Sequence, residues 1–126
     1  MLIDLQNKIR SVERQSALPD GNYDGDVFSF EIIDRVTAES YAILRADIQI
    51  FGALDAFKSA LMLLNAAKQR LIMIMAMGYR AEARAQEANY YRESAQSSLP
   101  RLTLLFEQIE RSLKEKFGIE NPYKAV

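Results

Sequence analysis

From Thr37 to Ser97 the chain carries no proline, and its apolar residues return at helical intervals throughout. Tyr41, Leu44, Ile48, Phe51, Leu54, Phe57, Leu61 and Leu64 keep steps of three and four, and Leu71, Ile72 and Met75 resume them. That period belongs to an α-helix and not to a strand. One helix over the whole run would be ~90 Å long, too long for a compact domain in a chain of 126 residues. At least one break is therefore expected, with Gly52, residues 65–70 and Gly78 as candidate positions. None has a strong stop signal, so one very long helix of the coiled-coil kind stays open.

The flanks add shorter pieces. Leu2, Leu5, Ile9 and Val12 form one stripe and predict an N-terminal helix over residues 1–17, with Asp4 suited to its positive end. LPDGNYDGD is a turn or loop. In VFSFEII, residues 27–33, the aromatic and β-branched residues favour a strand. No second strand-like run is present to pair with it, so a helix starting near Ser29 or later is the preferred reading. Residues 81–96, AEARAQEANYYRESAQ, are rich in strong helix formers and offer a thin contact face. SSLP then reads as a stop, with Ser98 capping a separate helix over 98–118 and Pro100 in its first turn. Leu102, Leu105, Phe106, Ile109, Leu113 and Phe117 form that helix's stripe, Gly118 caps it, and residues 119–126 are a tail. The expected fold is all-α, one domain over residues 1–126. It is a helical bundle of three to five helices: an N-terminal helix, a loop at 18–30, a long helical region over 31–97 and a C-terminal helix. A central apolar helical hairpin is expected within residues 40–78.

Composition narrows the chemistry. The chain has neither cysteine nor histidine. That removes disulfides, thiol nucleophiles, Ser-His-Asp catalysis, zinc hydrolysis and Glu-x-x-His di-iron sites. Hence no catalytic residue is expected, and the chain reads as a non-enzyme. The net charge of −1 gives no reason to expect nucleic acid or membrane as a partner. The charge is unevenly spread: residues 1–55 hold ten acidic and five basic groups, residues 56–101 seven basic and three acidic. An acidic patch on one copy meeting a basic patch on another would use that asymmetry. MLIDLQNKIR lacks the apolar stretch of a signal peptide. The most apolar run, LIMIMAM at 71–77, spans only ~10 Å of helix against a ~30 Å bilayer core. A soluble, cytoplasmic protein is expected.

One stretch matches a chemical motif. DGNYDGDVFSFE, residues 20–31, fits the twelve-residue calcium loop and resembles an EF-hand. By position the resemblance implies side-chain oxygens from Asp20, Asn22 and Asp24, the backbone carbonyl of Asp26, and bidentate closure by Glu31, with Ca2+ as the ligand. Pro19 before the loop, Tyr23 and Phe28 within it, and the lack of a second loop depart from the pattern. The alternative is a turn built from Asp, Asn and Gly for their own local reasons.

Two further groups of charged residues bear on chemistry. Glu107 and Glu110, with Glu115 beyond, could hold a metal in an enzyme acting on nucleotides, but no facing acidic pair is evident. Arg80, Arg84 and Arg92 beside Tyr90 and Tyr91 could grip phosphates, but Glu82, Glu87 and Glu93 favour intrahelical ion pairs. The runs 61–64 and 71–77 are apolar on every face, which suits a central helix or one covered by a second subunit. The expected interaction face is Leu61, Leu64, Leu71, Ile72, Met75, Tyr90 and Tyr91. The Ala-, Gln- and Arg-rich helix before a proline is similar in composition to segments of phage virion and head–tail proteins. The leading expectation is thus a non-catalytic, self-associating assembly or adaptor protein whose partner is itself or another helical protein. A calcium-responsive binding module and a small carboxylate enzyme are the alternatives.

Overall fold

In the computed structural model, residues 1–17, 27–39 and 47–119 are described, and four helices account for most of them. Helix α1 spans Leu2–Ala17, α2 Glu31–Glu39, α3 Ile48–Ala76 and α4 Ala81–Phe117. The fold is an all-α bundle dominated by the antiparallel hairpin of α3 and α4. At 29 and 37 residues these helices are about 43 and 55 Å long, whereas the 16 residues of α1 reach about 24 Å.

The stripes read from the sequence become the core. Leu5, Val12, Ile50, Phe57, Leu61, Leu64, Leu102 and Ile109 are sealed from solvent in one cluster shared by α1, α3 and α4. The C-terminal end of α1 is fixed to the middle of α4. There Gln96 Nε2 donates to the Ser16 carbonyl at 3.0 Å, and the Tyr91 hydroxyl donates to Gln15 Oε1. The strap 27–30 leads into α2 and is held by Asn65 on α3. Asn65 accepts from the Phe28 N–H at 2.7 Å and donates to the Phe28 carbonyl at 2.9 Å. Helix α2 then adds Ile33 to the core and reaches α3 through Asp34, 2.6 Å from Lys58 Nζ.

Three expectations about the helices need correction. First, α3 runs straight through Gly52 and residues 65–70; of the candidate breaks only Gly78 is used. Its φ of +70° is a left-handed turn that glycine adopts without penalty. Second, the hairpin does not lie within 40–78. Its turn falls at 77–80, and its second arm is α4. Third, residues 98–118 are not a separate helix, because α4 continues through SSLP with Pro100 inside it. Apolar burial of Ala95 and Leu102 on either side holds the helix together across the proline. The ambiguous segment follows the preferred reading: it is extended over 27–30 and turns helical at Glu31. Gly118 does cap α4, at φ +66°, donating its N–H to the Lys114 carbonyl at 3.0 Å.

As one continuous helix, α3 is long and apolar enough to cross a membrane by length and composition, a point hidden when only residues 71–77 are considered. In the bundle, its residues from Ile50 to Leu71 supply one wall of the core.

The open end of the hairpin, where α3 begins and α4 ends, is closed by one carboxylate. Asp47 caps α3, accepting from the N–H groups of Gln49 and Ile50 at 3.1 Å each, and its second oxygen lies 2.6 Å from Lys116 Nζ. The Lys116 ammonium first, then the Ile50 N–H, hold its carboxyl below the usual value of 3.8. A carboxyl lowered by folding stabilises the native state above its unfolded pKa, and that contribution is lost as pH falls through the folded value. Asp47→Ala is therefore expected to lower Tm at pH 7 by several degrees. The gap to wild type should shrink as pH drops below about 3.8, a trend that thermal melts by circular dichroism from pH 7 to pH 2.5 will read.

Candidate interaction surface

The unequal helix lengths create the feature that most needs explaining. Helix α1 ends level with Tyr91, and beyond that level, among the described residues, α3 and α4 continue with only each other. A small second cluster of Ala67, Leu71, Ala88 and Tyr91 closes the core there. Past it, no side chain from Ile72 to Glu87 is buried. Yet this is where the chain places LIMIMAMGY. Ile72, Met73, Met75, Met77 and Tyr79 are all exposed, Met77 to 63%. Contiguous exposure of large apolar side chains is uncommon on a monomer and marks an interaction surface.

The tip has a firm base. Arg70 Nε lies 2.9 Å from Glu87 Oε1 and ties α3 to α4 across the hairpin. One turn below, Lys68 is almost fully buried, its Nζ 5.6 Å from the Phe28 ring centre and 5.9 Å from that of Tyr91. A cation over two aromatic faces is a favourable arrangement in a low-dielectric setting. Nothing in the sequence pattern singled out Lys68, because a charged residue on a helical stripe looks like an interruption and not a core position.

An open groove of about 500 Å³ runs down from the tip between α3 and α4. Its walls include Leu63, Ala66, Ala67, Tyr90, Ser94 and Ser97. The hydroxyls of Ser94, Ser97 and Ser98 each donate to a carbonyl of their own helix one turn back, at 2.8 Å. These serines therefore offer the groove small, largely non-donating surface. Leu63, at 75% exposed, and Tyr90 extend the apolar stripe along it.

The expected interaction face thus splits in two. Leu61, Leu64, Leu71 and Tyr91 are interior, because their stripe faces the other helices of the same chain. Ile72, Met75 and Tyr90 are exposed and belong to the surface. Met73, Met77 and Tyr79 were missed. The available signal was the shortness of the first helical stripe, which can cover only part of a hairpin built from the long run.

The remaining candidates are placed as follows. Asp20, Asn22, Asp24 and Asp26 lie outside the described residues. Glu31, the implied closing calcium ligand, sits in the first turn of α2 with Oε1 3.1 Å from Arg35. Among the described residues no three acidic side chains group in a way that could hold a metal ion. Glu107 is exposed while Glu110 is buried, so the two do not share one open face. Tyr91 is interior and out of reach of a nucleic-acid base. The expected intrahelical ion pairing is replaced in part, since Glu87 bonds across the hairpin to Arg70 and Arg92 donates to Asn89. Arg80 and Arg84 are exposed at the tip and make no ion pair among the described residues.

No protein-family model matches the chain, no curated protein is significantly similar to it, and no solved structure shares its fold at a significant level.

Proposed function

We propose that this chain is a non-catalytic helical assembly subunit that associates with copies of itself through the methionine-rich end of the α3–α4 hairpin. One observation carries the reading: five large apolar side chains from Ile72 to Tyr79 stand exposed beyond the reach of the core. Methionine suits such a surface, because its flexible thioether adapts to a partner without needing one fixed shape. The lack of histidine and cysteine is in keeping with a role that involves no covalent chemistry. The compositional likeness of residues 81–96 to segments of phage virion proteins suits a component of a larger particle made in the cytoplasm.

The test is sedimentation equilibrium at tens to hundreds of micromolar protein, with wild type beside the double variant Met73→Ser, Met77→Ser. Wild type is expected to form a defined oligomer and the variant to run as a monomer. The variant should keep its unfolding free energy within about 0.5 kcal/mol of wild type, since both side chains are exposed. A wild-type monomer at the highest concentration, or a variant that assembles as well as wild type, overturns the reading. Monomeric protein that binds lipid vesicles through the tip would also count against it, transferring the surface to a membrane.

A further inference from the structure

The opposite end of the hairpin carries a surface that complements the tip. Between α2 and α3 lies a cleft of about 70 Å³, lined by Ile33, Thr37, Phe51, Leu54 and Asp55 among others. That is room for the end of one apolar side chain. Phe51 on its wall is exposed, as are Ile32 and Ile48 on the same two helices, Ile48 to 82%. Here too the bundle leaves large apolar groups uncovered. Asp34 and Lys58 on the cleft wall pair with each other, which leaves the charge here of the opposite sign to that at the tip. Asp55 on the cleft wall and Glu39 at the end of α2 are exposed and make no ion pair among the described residues. At the tip the charges without an ion pair are Arg80 and Arg84, with Glu82 between them.

These surfaces are separated by the length of the hairpin. Asp55 and Met77 lie about 33 Å apart along α3, so one molecule has no means of joining its own two ends. A second copy can. We infer that the methionine-rich, arginine-flanked tip of one copy docks on the acidic α2–α3 cleft of the next. A methionine end fills the cleft, and Arg80 and Arg84 meet Asp55 and Glu39. The inference rests on the tip being the self-association surface, and it names the partner surface. The contact is heterologous, because two different patches meet. It therefore builds a ring if the rotation between copies closes and a filament if it does not.

Heterologous docking can be separated from tip-to-tip dimerisation with two blocked chains. The first is the Met73→Ser, Met77→Ser variant, which keeps an intact cleft. The second is Glu39→Lys, Asp55→Lys, which keeps an intact tip but repels its own kind there. Each alone is expected to be monomeric, with association at least ~10-fold weaker than wild type. Mixed in equal amounts, they should form a 1:1 pair of twice the 14.4 kDa chain mass and nothing larger, by native mass spectrometry. The wild-type assembly should also loosen as NaCl is raised from 0.05 to 0.5 M, since exposed charges across the contact are screened. If the Glu39→Lys, Asp55→Lys chain assembles like wild type, the tip meets something other than the cleft. The inference then falls while self-association stands. If both variants are monomeric and their mixture gives no pair, the inference falls as well. A monomeric wild type removes both.

Discussion

Replacing Tyr91 by alanine should lower the stability of this protein by about 3–5 kcal/mol, the range for deleting a buried aromatic. Tm would fall by on the order of 10 °C for a chain of this size. Tyr91 is fully buried and joins three parts of the structure. Its ring packs with Ala67, Leu71 and Ala88 in the cluster at the base of the tip. Its hydroxyl donates to Gln15 and so pins the end of α1. Its face receives the Lys68 ammonium. Alanine removes all three contacts and leaves a cavity beside a buried lysine. Tyr91→Phe separates the contributions, since it keeps the ring and loses only the bond to Gln15, a cost of about 1–2 kcal/mol. Urea unfolding of the three proteins gives the comparison. If Tyr91→Ala is within 1 kcal/mol of wild type, the tyrosine is not interior and the packing described at the base of the tip is wrong.

Pro100→Ala is expected to act in the opposite direction, raising stability by about 1–3 kcal/mol. A proline inside a helix removes one backbone bond and crowds the carbonyl four residues back, a penalty of ~3 kcal/mol or more in a regular helix. Here the ring is exposed, so alanine costs little packing in exchange. The local backbone is already adapted, with Ser97 and Ser98 bonded back to the carbonyls of Glu93 and Ser94, and this moderates the gain. The expected readout is a higher urea midpoint with an unchanged m-value. A loss of stability would mean that α4 needs a bend at Pro100 to follow α3 and α1 at once.

Pro100 also shows where sequence reasoning met its limit. Ser98 and Pro100 look like a cap and a first turn, and locally that reading is sound. Tertiary packing overrode it, because Ala95 and Leu102 are both fully buried in the same core. A stripe of apolar positions that stays in phase across the proline was the visible sign. The same holds for Gly52 and residues 65–70, where propensity allowed a break and burial of Ala53, Leu54, Leu64 and Ala67 forbade one. What could be read directly were the stripes themselves, α1 and the inward faces of α3 and α4, and the cap at Gly118, while Gly78 stood as one of three candidate breaks. The candidate interaction surface was half legible. Apolar runs on every helix face reveal that something is uncovered. Which residues those are depends on how far α1 reaches, and that is a property of the assembled bundle. The buried Lys68 was not legible at all, since its surroundings come from Phe28 and Tyr91, far apart in sequence.

The mismatch in length between α1 and the hairpin has a consequence for how the molecule can change. Below Tyr91 every helix leans on at least one other, and a substitution there is felt by the whole cooperative unit. Above it, among the described residues, 72–86 bury no side chain and lean on the turn at Gly78, with the Arg70–Glu87 ion pair at their base. Side chains in that stretch can be exchanged with little effect on folding, so the chemistry the tip presents is free to drift while the scaffold stays constant. A lineage built on this scaffold could acquire a new neighbour by altering a few residues of one turn and its flanks.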